Sequence, residues 1–219
     1  MTKKVEWLIV CLGNPGSQYS GNRHNIGWMV AAELCSKYKK PLMKSFTKSY
    51  NVSLRIAGQL ALVIIPTTYM NASGEAVTEV IESFDIPSER IIVVCDEYNF
   101  SLGKVHIRQG GSDGGHNGVA SVIEELGTEE FFRLRCGIGK NFPQGGMVDY
   151  VLSDFLDGEI EEKNIMVKNA VDGIEYLIQH GKTKAMTDVN SEKLWNKDNT
   201  SKKEDGKESN NSVNNNESK

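Results

Sequence analysis

Short, nearly unbroken apolar runs alternate along the chain with stretches in which apolar residues recur every three or four positions. The runs fall at Trp7 to Leu12, Leu60 to Ile65, Ile91 to Cys95 and Leu134 to Ile138. Their length and β-branched content predict strands, and weaker strands are predicted at Asn51 to Ile56 and Lys104 to Arg108. Helical spacing covers Ile26 to Tyr38, Ser73 to Phe84 and Asn117 to Leu126, the last closed by Gly127. The longest helix pattern runs near Gly158 to His180 and puts Ile160, Val167, Ala170, Val171, Ile174, Leu177 and Ile178 on one face. Strands and helices in alternation predict a single-domain, three-layer α/β/α sandwich with a mixed, largely parallel central sheet.

The pattern stops near Asn190. Residues 190–219 are rich in Asn, Ser, Lys and Glu, with only Leu194, Trp195 and Val213 as large apolar residues. Such a segment buries too little apolar surface to offset chain entropy, so the expectation is a folded domain over 1–189 and a disordered tail over 190–219.

The formal net charge of −4 is not the footprint of a nucleic-acid binder, so any basic surface has to be local. No run reaches the roughly 18 apolar residues that span a bilayer. The opening apolar run flows straight into a turn and is read as a strand, not a signal peptide. Cys11, Cys35, Cys95 and Cys136 are scattered without a CxxC pair. They fit free thiols in a reducing cytoplasm, and they offer no metal-ligand spacing, so no metal and no cofactor is expected.

Ligands of open α/β sheets collect beyond the carboxyl ends of the strands. Four polar motifs stand at such places. "GNPGSQYSGNRHNIGW" follows the first strand, "PTTYMNASG" the Leu60 strand, "DEYN" the Ile91 strand and "QGGSDGGHNG" the Lys104 strand. Each admits a plain reading. His24 is either a capping histidine or a base, Asn71 either an N-cap or a ligand contact, and Asp96 either a turn residue or a catalytic carboxylate. His116 and Asn117 either cap a flexible connection or ride on a mobile flap. The Gly13-Asn14-Pro15-Gly16 turn lacks the G-x-G-x-x-G spacing of a dinucleotide loop, and Pro15 removes a backbone donor. A cysteine nucleophile would have to be Cys11 or Cys95, and both lie in apolar strands that disfavour a thiolate.

In combination, "GNPG…Y…RHN.G", "PTTYMN.SG", "DE", "GGHNG" and the downstream "RLRCGIG" resemble bacterial-type peptidyl-tRNA hydrolases over roughly Trp7 to Lys184. The resemblance implies that residues 1–189 are a metal-independent catalytic domain. Its substrate would be peptidyl-tRNA, met at the acceptor end and the attached peptide, and its bond the ester between peptide and tRNA. It implies a cytoplasmic, monomeric enzyme that recycles tRNA, with no membrane partner.

The same resemblance assigns roles. His24 would be the general base on water and Asp96 its hydrogen-bonding partner, a pairing that fixes a tautomer and stabilises an imidazolium. Asn14, Asn71 and Asn117 would grip the peptide, since an amide both donates and accepts. Tyr19, Tyr69 and His116 would contact the substrate, with the tyrosines suited to stacking on an unpaired base. Arg108 and Arg135 match positions linked to the 5′ phosphate, whereas Arg133 is expected to be structural or a surface ion-pair partner. Two departures stand out: Ser101 replaces a proline common after the acidic pair, and Asp113 puts a negative charge near the RNA path, which should weaken binding. A relative of the same fold that binds RNA without catalysis remains the alternative, against which the presence of His24, Asp96 and all three amides counts.

Overall fold

The computed structural model describes residues 4–196. Six strands form one sheet: β1 (Trp7–Cys11), β2 (Ser49–Ile56), β3 (Gln59–Pro66), β4 (Ile91–Glu97), β5 (Val105–Gln109) and β6 (Phe132–Gly137). Their order is β2-β3-β1-β4-β6-β5, with β3, β1, β4 and β6 parallel and both edge strands antiparallel. The helices are α1 (Ile26–Tyr38), α2 (Ser73–Phe84), α3 (Asn117–Leu126), α4 (Met147–Val151), α5 (Ile160–His180) and α6 (Lys182–Asn190). The architecture is the expected three-layer sandwich.

Why β1 reads as a continuous apolar run is now plain: both of its faces are covered. Trp7, Ile9 and Cys11 belong to the core shared with α1, α5 and α6, while Leu8, Val10 and Leu12 pack with Val77 and Val80 of α2 and Val119 and Val122 of α3. Edge strand β2 instead alternates buried and exposed positions over most of its length. Central β1 sits between β3 and β4, so the loops leaving β1 and β4 open into one crevice. At that crevice α1 comes very close to β1. A Cβ on Gly27 would lie 2.4 Å from the Leu12 carbonyl oxygen, so a side chain there would push away the turn that carries His24.

The expected boundary after residue 189 falls inside α6. Asn190 donates from Nδ2 to the Ile107 carbonyl at 2.9 Å and accepts the Ile107 N–H at Oδ1 at 2.7 Å. Its amide thus pairs with the free edge of β5 as a further strand would, and Leu194 and Trp195 pack against the core beyond it. A polar composition concealed this, because the anchoring groups are one amide and two isolated apolar residues. The remainder of the proposed tail, 197–219, lies outside the described residues. Helices α4 and α6 carried no expectation from the pattern.

Candidate active site

Buried amides tie the connection between β1 and α1 together and to the loop after β3. Asn22 caps the short 3-10 turn Arg23–Asn25, accepting the Asn25 N–H at 3.1 Å. Asn25 in turn clamps the backbone of Asn14, accepting its N–H at 2.8 Å and donating to its carbonyl at 2.9 Å. Asn14 Oδ1 accepts the Met70 N–H at 2.8 Å. This bond occupies the Asn14 oxygen, so the NH2 of its amide is the part left for a ligand.

On this frame His24 Nδ1 lies 2.7 Å from Asp96 Oδ1, at the carboxyl end of β4. His116 Nε2 lies 3.0 Å from the same oxygen. His116 Nδ1 accepts the N–H groups of Gly118 and Val119 at 3.1 and 3.3 Å, capping α3. A nitrogen that accepts carries no proton, so His116 is protonated at Nε2 and donates to Asp96. The ionised carboxylate accepts from His24 as well. This places the His24 proton on Nδ1 and leaves Nε2 with a lone pair and no hydrogen bond among the described residues. Asp96 is 5% exposed. Burial alone would raise its carboxyl, but the imidazole N–H groups of His116 and His24 that point at its oxygen outweigh burial and hold the group well below the usual range.

These three side chains also form the one cluster of metal-ligating type among the described residues, with ligand atoms within 4.8 Å of one another. Both imidazoles meet the carboxylate at direct hydrogen-bond distances, an arrangement suited to orienting a base.

A cavity of about 360 Å3 opens over the pair. Asn14, His24, Tyr69, Asn71, Asp96, His116, Asn117 and Arg135 all line it. Tyr69 is 61% exposed at the rim, where Asn71 and Asn117 are exposed too. Tyr19 is half-buried outside the cavity, and Arg108 is exposed outside it. One wall is apolar: Met147, Val148, Val151 and Leu152 from α4 and its end.

A model of the peptidyl-tRNA hydrolase family matches residues 8–197. The chain belongs to the peptidyl-tRNA hydrolase family. Membership makes it a hydrolase. It is 41% identical over 188 residues to the peptidyl-tRNA hydrolase of Caldicellulosiruptor bescii, covering 86% of this chain and 98% of that one. The Thermoanaerobacter enzyme of the same name is 40% identical over 184 residues, covering 84% and 99%. In three dimensions the chain resembles the crystal structure of the Acinetobacter baumannii peptidyl-tRNA hydrolase, with a TM-score of 0.80 at 30% identity over 87% of this chain and 97% of that one.

Basic residues of β5 and β6 gather on one sheet face. Cross-strand pairing sets His106 opposite Arg135 and Arg108 opposite Arg133, while Val105, Ile107, Leu134 and Cys136 face the core. Arg135 is held by Glu97 at 3.1 Å, by His106 Nδ1 at 3.2 Å and over the ring of Phe100 at 4.6 Å. Burial, then the charges of Arg135, Lys104 and Arg108, push the His106 imidazole down to about 4, so it stays neutral. Arg133 is 4% exposed and donates to the carbonyls of Gly111 and Ser112, so it anchors the Gly-rich flap and forms no surface ion pair. Asp113 braces the same flap, accepting the Gly115 N–H at 2.7 Å. Cys11, Cys95 and Cys136 are buried, and burial drives each thiol upward, away from a nucleophilic thiolate.

Sequence reasoning missed two things. It gave His116 a substrate contact and no bond to Asp96, because two residues twenty positions apart meet only through tertiary packing. It also missed the apolar wall, although Met147, Val148, Val151 and Leu152 have helical spacing that was there to be read.

Proposed function

We propose that this enzyme hydrolyses the ester between a peptide, or an N-blocked amino acid, and tRNA, using water activated by His24. The observation that carries the reading is the 2.7 Å contact between His24 Nδ1 and Asp96 Oδ1, which leaves Nε2 free in a chain of this family. The water proton passes to His24 Nε2 as the water oxygen bonds to the ester carbonyl carbon. The buried, ionised Asp96 stabilises the imidazolium that forms. Collapse of the tetrahedral intermediate breaks the bond to the ribose oxygen, which takes the proton from His24. An ester is an activated acyl group, so general-base help of roughly 10²–10⁴-fold, together with positioning, suits the task.

In this reading the Asn14 amide N–H2 and the rim amides of Asn71 and Asn117 hold the peptide or the developing oxyanion. Tyr69, exposed at the rim, stacks on the terminal base, while Tyr19, outside the cavity, meets the RNA farther out. Arg108 and Arg135 bind phosphate, reconciling a net charge of −4 with an RNA substrate by confining positive charge to one sheet face. No described helix is long and apolar enough to cross a membrane. A substrate made by translation, together with free thiols, suits an enzyme of the cytoplasm.

The test is release of the amino acid from N-acetylaminoacyl-tRNA by the native protein and by His24→Ala. Release that disappears in the variant while tRNA binding persists supports the reading. A native protein that binds tRNA and releases nothing is instead an RNA-binding relative.

A further inference from the structure

Arg23 directly precedes the base, yet its guanidinium serves a different part of the molecule. It is 2% exposed. Nη1 donates to the Ser153 hydroxyl at 2.9 Å, to the Ser153 carbonyl at 3.3 Å and to the Asp154 carbonyl. Nη2 meets Glu159 Oε2 at 2.6 Å. The group lies 4.4 Å from the ring centre of Tyr150 and 5.1 Å from that of Phe155. The backbone repeats the link: Arg23 N–H donates to the Ser153 carbonyl at 3.0 Å, and Asn22 forms an antiparallel bridge with Asp154.

What this clamp holds is the segment just after α4. That helix has five residues, far too few to be stable without tertiary ties. One tie is the Tyr150 hydroxyl, which donates to the Ile138 carbonyl at 2.7 Å at the end of β6. The other is Arg23. Between them stand Met147, Val148, Val151 and Leu152, the apolar wall that lines the cavity together with His24.

We propose that Arg23 is a positioning residue, locking the end of α4 to the turn that bears His24 and so fixing the distance between the base and the apolar wall. The inference rests on the reading that this cavity hydrolyses peptidyl-tRNA. A planar guanidinium suits the role because its fork reads several acceptors in one fixed orientation, which an ammonium does not. Base and wall line the same cavity, so a loosened wall weakens substrate binding without disturbing the His24–Asp96 contact.

Steady-state hydrolysis of N-acetylaminoacyl-tRNA by the native enzyme, Arg23→Met, Arg23→Lys and Glu159→Gln tests this, with an unfolding curve for each. In Arg23→Met the KM rises roughly tenfold, the loss of about 1.4 kcal/mol of substrate binding. In Arg23→Lys part of that rise is recovered, and the acid limb of the kcat pH profile stays native in both. A purely structural role would lower kcat in proportion to the folded fraction and leave KM native, and that result overturns the proposal. If Arg23→Met does not fold, Arg23→Lys and Glu159→Gln decide: a raised KM in both supports the clamp, a native KM in both refutes it. Absence of release by the native protein would instead overturn the functional reading itself.

Discussion

His24 and His116 bind the same oxygen of Asp96, at 2.7 and 3.0 Å, with their rings 4.8 Å apart. One carboxylate oxygen therefore orients the base while being held itself by a second imidazole, which the backbone at the start of α3 keeps in its Nε2–H form.

That relationship predicts a selective loss in His116→Asn. Asparagine is a good N-cap, so α3 keeps its start and the protein its stability. The bond to Asp96 disappears, and kcat falls roughly tenfold, about 1.4 kcal/mol, with KM near native. An unchanged kcat would mean that Asp96 needs no second donor.

Asp96→Asn loses the charge that stabilises the imidazolium, and kcat should fall on the order of 10²–10⁴-fold. Its stability effect depends on pH with a definite sign. The folded carboxyl lies below its ordinary value of 3.8. Its stabilisation is therefore complete above that value and is lost as pH falls through it toward the folded pKa. Urea unfolding of native protein and variant between pH 6 and pH 2 should show a gap that is constant at first and closes below about pH 4. A gap that widens on acidification would contradict the assignment.

Arg108→Ala and Arg135→Ala should raise KM with little change in kcat. Each should also flatten the dependence of log KM on log salt, by about one unit for every phosphate the variant no longer neutralises. Arg135→Ala carries the larger effect, because Arg135 lines the cavity and is pre-oriented by Glu97 and Phe100. Native KM in both variants would remove the basic sheet face from the RNA-binding account.

Asn190→Ala removes both hydrogen bonds to the edge of β5, and denaturant unfolding should show a loss of about 1–3 kcal/mol. Ending the chain after residue 189 should cost more, since Leu194 and Trp195 lose their packing as well. Ending it after residue 196 should leave stability near native. Equal stability of all three would show that the last turn contributes nothing to the domain.

The local pattern of apolar residues was enough for α1, α2 and α3, whose bounds agree with the helical spacing, and for the order of strands and helices. Those features depend on neighbours three or four positions apart, and the sequence states such neighbours directly. The motifs at strand ends likewise marked His24, Asp96 and the three amides, because an α/β sheet brings its strand ends to one crevice. Only the tertiary structure decided that His116 completes the Asp96 array, that Arg133 anchors the flap, and that Asn190 closes the edge of β5 beyond the polar boundary. Each of these rests on a side-chain contact between residues 20 to 83 positions apart. The partner of such a group is chosen by how the layers pack, and no local periodicity or composition carries that choice.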